Sequence, residues 1–332
     1  MCTAVSCSFG HHYFGRTLDH TQSYGESVMV VPRNCCLPFR FAGPLLRQYA
    51  MIGIGHAAEG FPLYYDGVNE KGLAMAGLNF VGNARYGTPE EGHCNVAQFE
   101  LLPWVLAQCA TVREAAELLV RTHVTDTAFS PAYPPAELHW MLADGKDCAV
   151  LEWTAEGMQF YPNPVGVLTN NPPFPMQQFR LYDFMGLTNK MGENRFSEKL
   201  DLQAYSRGMG ALGLPGDWSS QSRFVRAAFV KFHICGGETE EARVGQLFHL
   251  LGTVEVPRGC CEAENGAQMQ TVYTACCNAE RGIYYYTSGQ NRQITAVDLH
   301  REDLNGGELL VYPLQIQQQI AFRNGSFTNA ES

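Results

Sequence analysis

The sequence predicts an α+β fold, a single domain of four layers. Strand-like and helix-like hydrophobic periodicities alternate along the chain. Residues 2–80 are mostly strand-like, residues 96–123 and 222–251 carry the three-and-four spacing of amphipathic helices, and residues 271–299 return to strand. No repeat, low-complexity tract or clean linker separates these blocks. Strands from both ends of the chain are therefore predicted to share sheets within one domain spanning residues 1–332, with helices covering the outer faces.

The first eighty residues are predicted to be sheet because alternating or wholly apolar runs are separated by turns rich in Gly, His and Ser. These strands cover residues 3–9, 13–19, 27–31, 51–55, 63–65 and 73–80. Segment 66–72 is rich in turn-forming residues and is predicted to connect the last two strands.

Helical periodicity first appears between residues 96 and 123, where two helices are predicted because Pro103 obstructs a single long one. Thr111 is suited to cap the second of them, ahead of Glu114. A second helical pair is predicted at residues 222–234 and 240–251.

The rest of the chain is predicted to be strand, apart from one long irregular segment. These strands cover residues 138–143, 148–153, 166–169, 271–277, 283–287 and 295–299. Hairpin turns are predicted at Asp144-Gly145 and Glu156-Gly157. Residues 186–220 are polar and glycine-rich with weak periodicity, which predicts an extended excursion from the core. Such long excursions are usually functional or used in subunit assembly.

Composition and charge limit the classes of partner. Hydrophobic residues make up 45% of the 332 residues and charged residues 17%, below the usual quarter or so, which describes a well-packed protein with many uncharged polar groups. The net charge of −10 leaves no basic field to hold a phosphate backbone, so nucleic acid is not expected as a partner. The first residues resemble no secretion signal, and the longest uncharged stretch, residues 157–179, is interrupted by prolines. Insertion into a membrane is therefore not expected.

The cysteines indicate a compartment and disfavour a metal site. Twelve cysteines in a chain without an export signal are expected to be reduced thiols, which predicts a cytoplasmic protein. Residues 35–36, 260–261 and 276–277 are adjacent pairs, and no C-x-x-C pair occurs. Because adjacent residues of a strand point to opposite faces, this spacing does not suit a tetrahedral metal cage. The eleven cysteines other than Cys2 are interpreted as small buried hydrophobic residues.

Cys2 differs from the other cysteines by its position directly after Met1. Removal of the methionine would leave a first residue that carries both a thiol and a free α-amine. The reference titration points of these two groups lie close to neutrality. The amine could therefore relay a proton while the sulfur attacks a carbonyl carbon, so Cys2 is a candidate nucleophile with its own base attached.

Several charged residues occupy positions where charge is costly. Arg16 and Asp19 lie in a mostly apolar strand pattern, where they either form a structural salt bridge or serve a function. Arg223 lies near the start of a predicted amphipathic helix, where the helix dipole disfavours a cation, so an anion is expected to face it. The nearby Asp217 is one such anion.

Two asparagines follow predicted strands. Asn170 ends the strand Val167-Leu168-Thr169, and Asn79 ends Gly77-Leu78. From these positions a side-chain amide could donate to an oxyanion, although turn formation explains asparagine at strand ends equally well.

Taken together, these residues resemble the choloylglycine hydrolases, a family of N-terminal-nucleophile amidases that includes bile salt hydrolases and penicillin V acylases. The resemblance spans nearly the whole chain. It is carried by MCT (residues 1–3), YFGRTLD (13–19), GLAMAGLNF (72–80), VLTNNP (167–172), LPGD (214–217) and SRFVR (222–226).

This resemblance implies a four-layered αββα sandwich of the N-terminal nucleophile hydrolase type. It implies that mature Cys2 attacks an amide carbonyl and forms a thioester that water then hydrolyses, without a cofactor. Arg16 would hold the thiolate and Asp19 would orient the α-amine. Arg223 would support charge near the thiol.

The resemblance also bears on the oxyanion and the substrate. Asn170 and Asn79 would stabilise the tetrahedral oxyanion. The sequence Leu78-Asn79-Phe80 resembles bile salt hydrolases, whereas many penicillin V acylases have Tyr at the place of Asn79. The expected substrates are therefore conjugated bile salts of the taurocholate and glycocholate class, and Asn79 is expected to contact them as well.

Further substrate contacts are expected from three apolar residues and one cation. Leu18, Phe61 and Phe129 belong to segments in or near loops that flank this family's pocket, although each could equally be ordinary core. Ser206-Arg207-Gly208 resembles a motif associated with taurine conjugates, and Arg207 could pair with a sulfonate. Arg207 could instead be a solvated loop residue or a subunit contact, since family members are commonly homotetramers and residues 186–220 resemble their assembly element.

Three alternative functions stay open on the sequence alone. The same machinery could act on another acyl group, as in a penicillin V acylase or an acyl-homoserine lactone acylase. The chain could be a ligand-binding homologue that lost catalysis, which the complete set of candidate residues disfavours. It could also be a cysteine-rich structural protein that binds metal, which the cysteine spacing disfavours.

Overall fold

The computed structural model describes residues 1–45 and 47–324. In chain order the strands are β1 (Cys2–Ser8), β2 (His12–His20), β3 (Ser27–Val31), β4 (Met51–Ala58), β5 (Phe61–Asn69), β6 (Ala74–Asn79), β7 (Cys94–Ala97), β8 (Thr122–Thr125), β9 (Leu138–Ala143), β10 (Cys148–Thr154), β11 (Gly157–Pro162), β12 (Val167–Leu168), β13 (Gln270–Asn278), β14 (Ile283–Ser288), β15 (Asn291–Asp298) and β16 (Leu310–Pro313). The helices are α1 (Leu101–Gln108), α2 (Val112–Leu119), α3 (Phe174–Phe179), α4 (Ser220–His233) and α5 (Glu240–Gly252).

The strands form two large antiparallel sheets that draw on both ends of the chain. One sheet has the order β12-β1-β2-β13-β14-β15, and the other has the order β11-β10-β9-β6-β5-β4-β3-β16. The short strands β7 and β8 pair in parallel outside them. The prediction that N-terminal and C-terminal strands share sheets is therefore confirmed, since β2 pairs with β13 and β3 pairs with β16.

Alternation along the strands explains the layers. In β3, Val28 and Val30 belong to the core that the two sheets share, whereas Met29 and Val31 belong to a second core on the opposite face. Helices α1 and α2 cover that opposite face of the β11-to-β16 sheet, while α4 and α5 pack against the outer face of the β12-to-β15 sheet. The layers thus follow the order helix, sheet, sheet, helix.

Most predicted elements are confirmed, including the cap of α2, where the Thr111 side chain accepts from the Glu114 amide at 3.2 Å. The predicted connection at residues 66–72 is wrong in its first half, because β5 continues to Asn69. Its buried Asp66 accepts hydrogen bonds from the phenols of Tyr273 and Tyr284, so a polar residue that suggested a turn lies inside a sheet. Strands β7, β8, β11 and β16 and helix α3 were not predicted.

The expectation that eleven cysteines are buried is only partly correct. All twelve are free thiols, and Cys7, Cys276 and Cys277 are buried within strands whose two faces are both covered. Cys36, Cys235 and Cys260 are exposed because they lie in connecting segments. Within residues 1–45 and 47–324, no group of three His, Cys, Asp or Glu side chains is arranged to hold a metal ion.

Residues 186–220 follow the predicted excursion. Up to the start of α4 they contain one short 3-10 turn, Met209–Ala211, and no strand. The segment exposes several large apolar side chains: Met191, Phe196, Leu200, Leu202, Tyr205 and Leu212. None of the helices in the described part of the chain is long and apolar enough to cross a bilayer.

Candidate active site

Cys2 is the first residue of β1 and lies in the interior of the sandwich, with 3% of its surface exposed. It pairs with Leu18 of β2, and its backbone N–H donates to Asn170 Oδ1 at 2.9 Å. Met1 precedes it along the sheet, where the Met1 amine donates to the Asp19 carbonyl at 2.6 Å and the Asp19 amide donates to the Met1 carbonyl at 2.8 Å. Pairing of β1 with β2 thus brings the C-terminal end of the motif YFGRTLD next to the chain start.

Asn170 is the hub of the site. It lies two residues beyond β12, and its Oδ1 accepts from both the Cys2 amide and the Arg223 guanidinium, the latter at 2.7 Å. Its Nδ2 donates to the backbone carbonyl of Asn79 at 2.9 Å, which leaves one further N–H on the same nitrogen. Asn79 ends β6 and its side chain borders the same cavity as Cys2. The two predicted oxyanion donors are therefore adjacent to each other and to the thiol.

Arg223 lies in the first turn of α4 and has no exposed surface. Its guanidinium donates to the Cys2 carbonyl, to Thr3 Oγ1 at 2.7 Å and to the Trp218 carbonyl at 2.9 Å. Burial lowers the pKa of Arg223, while the charges of Asp19 and a Cys2 thiolate act in the opposite direction. Among the described residues its hydrogen-bond partners are all neutral oxygen atoms, so the expectation of a facing anion is wrong, and the Asp19 carboxyl acts on the guanidinium only at longer range.

Asp217, the alternative partner for Arg223, has another function. It accepts from the Ser219 amide at 2.9 Å and from the Ser222 hydroxyl at 2.6 Å. It therefore stabilises the N-terminus of α4, the helix that carries Arg223.

Arg16 lies in β2 beside Cys2 and is 1% exposed. Its Nη1 donates to the Tyr65 and Gly77 carbonyls at 2.8 and 3.1 Å, and its Nε is 3.8 Å from Asp66 Oδ2. The salt bridge left open by the sequence is thus with Asp66 and not with Asp19. Burial by itself lowers the pKa of Arg16, but nearby phenol, thiol and carboxyl groups raise it above its usual value. The guanidinium is consequently a permanent positive charge near the sulfur.

Asp19 is buried at the other end of the same strand segment. Its Oδ1 accepts from Thr271 Oγ1 at 2.6 Å on the neighbouring β13. Burial raises the pKa of Asp19, whereas Arg223 and the positive N-terminus lower it. With Met1 present, the N-terminal amine bonds the backbone of Asp19 and not its carboxyl group.

A cavity of about 250 Å³ opens over Cys2 between the two sheets and the loop that contains Phe129. Leu18, Asn79 and Phe129 line it, as predicted, together with aromatic residues that sequence reasoning missed: Tyr24, Tyr64, Tyr65, Phe99, Tyr133 and Trp140. Those aromatic residues are scattered along the chain, and their meeting depends on the β5–β6–β9 pairing. A larger depression of about 740 Å³, lined by Arg33 and Arg47, contains none of the candidate residues.

Two predicted substrate contacts are placed elsewhere. Phe61 begins β5 and not a loop, is 2% exposed, and packs on Phe129 and Phe99 with ring centroids 6.2 and 5.8 Å away. It lies behind the cavity wall and supports it. Arg207 does not line the cavity within one chain; it is exposed in the excursion, which favours its interpretation as a solvated loop residue or a subunit contact.

Replacement of Asp217 by asparagine is expected to lower the melting temperature by about 1–2 °C at pH 7, because a carboxylate at a helix N-terminus is favourable. Hydrogen bonds from Ser219 and Ser222 lower the pKa of Asp217 to about 2, below the value of an unfolded chain. Its contribution is therefore present above the unfolded pKa and is lost as the pH falls through about 2. Melting curves of both proteins should converge between pH 4 and pH 2; a constant difference contradicts this account.

Comparisons with known proteins agree with this geometry. The family model for linear amide C-N hydrolases, choloylglycine hydrolase family, matches residues 2–312. The bile salt hydrolase/transferase of Lactiplantibacillus plantarum is 46% identical over 319 residues, which cover 96% of this chain and 98% of that protein. The bile salt hydrolase/transferase of Clostridium perfringens is 36% identical over 319 residues, with 94% and 96% covered.

Solved structures show the same architecture. The C2A mutant of the conjugated bile acid hydrolase from Clostridium perfringens matches with a TM-score of 0.89 and 33% identity, covering 98% of this chain and 100% of that one. Penicillin V acylase from Agrobacterium tumefaciens matches with a TM-score of 0.74 and 20% identity, covering 94% and 90%, a likeness of fold alone. The predicted αββα sandwich is confirmed.

Proposed function

The chain belongs to the choloylglycine hydrolase family of linear amide C-N hydrolases. From this premise we propose that it hydrolyses the amide bond of glycine- or taurine-conjugated bile acids, with the N-terminal Cys2 as nucleophile. The observation that carries the proposal is that Asn170 hydrogen-bonds Cys2, Asn79 and Arg223, while Cys2 and Asn79 line a largely apolar cavity. The family resemblance inferred from the sequence motifs is confirmed.

The first half of the reaction forms a thioester. In a chain that begins at Cys2, the α-amine accepts the thiol proton while Sγ attacks the amide carbonyl carbon. The same proton then passes from the α-ammonium to the leaving nitrogen as the C–N bond breaks, which releases glycine or taurine. Asn170 Oδ1, which accepts from the Cys2 nitrogen at 2.9 Å, holds that amine beside the sulfur.

Charge develops on the former carbonyl oxygen during the attack. The free N–H of Asn170 and the side-chain amide of Asn79 are the donors that could meet it, and Arg223 polarises Asn170 through Oδ1. Arg16 stabilises the thiolate as a permanent positive charge, and the buried Asp19 carboxyl offsets the positive charge that gathers around the α-amine.

The second half consumes water. The α-amine, again neutral after release of the first product, accepts a proton as water attacks the thioester carbon. The same oxyanion donors act a second time, and collapse of the tetrahedral intermediate returns the proton to sulfur and frees the bile acid. Because every step uses side chains already described, the mechanism needs no cofactor.

The cavity wall supports a steroid as the acyl group. Leu18, Phe129 and Trp140 provide apolar and aromatic surface, while His20 and Tyr24 supply polar groups to the same cavity. Identity of 46% to a bile salt hydrolase/transferase favours this substrate class over penicillin V. A free amino acid could also take the place of water at the thioester.

The proposal also covers the oligomeric state of the protein and its cellular compartment. The exposed apolar residues of segment 186–220 support its use in subunit contacts, and we place the protein in a homotetramer in the cytoplasm. Elution at the mass of a single chain in size-exclusion chromatography with light scattering would contradict the tetramer.

The proposed reaction is tested by release of free taurine and glycine from taurocholate and glycocholate, with penicillin V as the competing substrate. Protein whose N-terminus is Cys2, as verified by mass spectrometry, should release amino acid from both bile salts. If only penicillin V is cleaved, the substrate assignment is wrong while the amidase assignment stands. If none of the three is cleaved, both are wrong.

Phe129→Ala is expected to raise KM for bile salts about tenfold, because it removes apolar contact area from the cavity. Phe61→Ala is the matched control, since Phe61 lies one layer behind. We expect Phe61→Ala to cost about 3–5 kcal/mol of stability while changing KM by less than about threefold. Equal increases in KM for the two variants, measured at 25 °C, would place Phe61 in the substrate contact after all.

A further inference from the structure

A buried histidine and a buried glutamate lie directly behind the two asparagines of the site. His139 is on β9 and Glu152 on β10, one position beyond the paired residues Leu151 and Trp140. Neither side chain has any exposed surface. His139 Nδ1 is 3.0 Å from Glu152 Oε1, and His139 Nε2 is 2.8 Å from the Thr169 carbonyl oxygen.

The contacts define where the protons lie. A carbonyl oxygen only accepts, so Nε2 carries a hydrogen and donates it to Thr169. A second proton lies between Nδ1 and Glu152, because two lone pairs would repel at 3.0 Å. Glu152 Oε1 also accepts from the Phe174 amide, while Oε2 has no partner in the described part of the chain. Apolar side chains would fill this volume without the desolvation cost of such a pair.

One of the two contacts of the imidazole fixes the peptide group that carries Asn170. The Thr169 carbonyl accepts from His139, and the N–H of the same peptide group, that of Asn170, donates to Ser220 Oγ at 2.9 Å. Thr169 is further held by Gln177, whose Oε1 accepts from the Thr169 hydroxyl at 2.9 Å. The orientation of the Asn170 side chain therefore depends on a hydrogen bond from His139.

A third contact of the imidazole, through its face, fixes the segment that carries Asn79. The ring of Phe80, the next residue, stacks on the imidazole with centroids 4.3 Å apart and planes 8° apart. The Asn79 carbonyl accepts from Asn170 Nδ2 at 2.9 Å. A single imidazole thus touches the chain neighbours of both asparagines.

We propose that His139, held by Glu152, is a positioning residue that keeps Asn170 and Asn79 at the separation at which both donate to the oxyanion. The proposal rests on the amide hydrolysis proposed above. His139 itself contacts neither the thiol nor the cavity, so its effect reaches the reaction only through the two asparagines.

His139→Leu and His139→Gln separate positioning from packing. The glutamine amide nitrogen can replace Nε2 as donor to Thr169, whereas leucine cannot. We expect His139→Leu to lower kcat by about 10- to 100-fold with KM within about twofold, since displacement of a catalytic group by about 1 Å has effects of this size. His139→Gln should recover most of the loss.

His12→Leu is the matched control, because His12 is also a buried histidine, 3% exposed, whose ring contacts Ser6 at 3.0 Å and no residue of the site. It should lower the melting temperature and leave kcat unchanged. The proposal is overturned if His139→Leu keeps wild-type kcat, if His139→Gln is no better than His139→Leu, or if His12→Leu lowers kcat equally.

A crystal structure of His139→Leu provides a readout that does not depend on the substrate. The distance between Asn170 Nδ2 and the Asn79 carbonyl, 2.9 Å in the wild type, should exceed about 3.5 Å, the limit of a hydrogen bond. An unchanged distance overturns the proposal. Absence of wild-type activity on bile salts and penicillin V overturns the proposed function instead, and the measured distance then decides the role of His139 alone.

Discussion

Replacement of Cys2 by alanine is expected to abolish amide hydrolysis while the fold is retained. Removal of the nucleophile from another hydrolase lowers kcat by about 10⁶-fold, and Cys2 is the only Cys, Ser or Thr among the described residues that line this cavity. The side chain of Cys2 is small, so alanine leaves the hydrogen bond from its backbone to Asn170 in place. Release of taurine from taurocholate, followed over hours, measures the residual rate.

Cys7→Ala is the matched control for this experiment. Cys7 lies on the same strand, is also buried, and has a thiol pKa that burial raises to about 12, so it stays protonated. We expect Cys7→Ala to retain wild-type kcat. Turnover by Cys2→Ala within about 10²-fold of the wild-type kcat would remove Cys2 from its assigned role, as would a loss in Cys7→Ala as large as that in Cys2→Ala.

The second large effect is expected at Arg223. Lysine there keeps the positive charge but cannot reproduce the planar fork that reaches the Cys2 carbonyl, Thr3 Oγ1 and Asn170 Oδ1 together. Asn170 would lose the contact that orients its amide, so we expect Arg223→Lys to lower kcat by about 10²-fold, the size of effect that loss of one oxyanion donor produces. Steady-state kinetics on glycocholate measures it.

Arg226→Lys controls for the loss of a buried guanidinium. Arg226 lies in the same helix and donates to the Thr253, Pro215 and Asp217 carbonyls, none of which belongs to the catalytic set. The Arg226→Lys variant should have a lower melting temperature and the wild-type kcat. If both variants lose activity in proportion to their melting temperatures, Arg223 serves α4 and not the reaction.

Most of the fold could be predicted from patterns that span only a few neighbouring residues. Apolar alternation located the strands, and Thr111 ahead of Glu114 located a helix start, because both signals act within a few residues. The prediction was wrong where a distant contact outweighs the local signal. Asp66 suggests a turn by its chemistry, but two tyrosines more than two hundred residues away hold it inside β5.

The same distinction applies to the candidate site. Cys2 could be nominated from its position after Met1 and Arg223 from its place near a helix start, and the family resemblance gave them a joint role. The other candidates, Arg16, Asp19, Asn79 and Asn170, are polar residues in apolar strands or at strand ends. The residues that contact these candidates could not be predicted from the sequence. Asp217 is near Arg223 in sequence, yet the guanidinium contacts Asn170, and His139 carries no local signal that distinguishes it from a core histidine. Pairing of β6 with β9 and docking of α4 on β12 create those contacts.

Pairing of β1 also limits when Met1 can be removed from the chain. The peptide bond between Met1 and Cys2 has its N–H bonded to Asn170 and its carbonyl bonded to the Asp19 amide, so a folded chain shields this bond from an aminopeptidase. We therefore expect Met1 to be removed before the ribosome has delivered β12 and Asn170, an interval of roughly 10–30 s at ordinary rates of synthesis. Chains that fold before they are trimmed would be trapped without a free amine, and overproduction that outpaces trimming would yield well-folded but inactive protein.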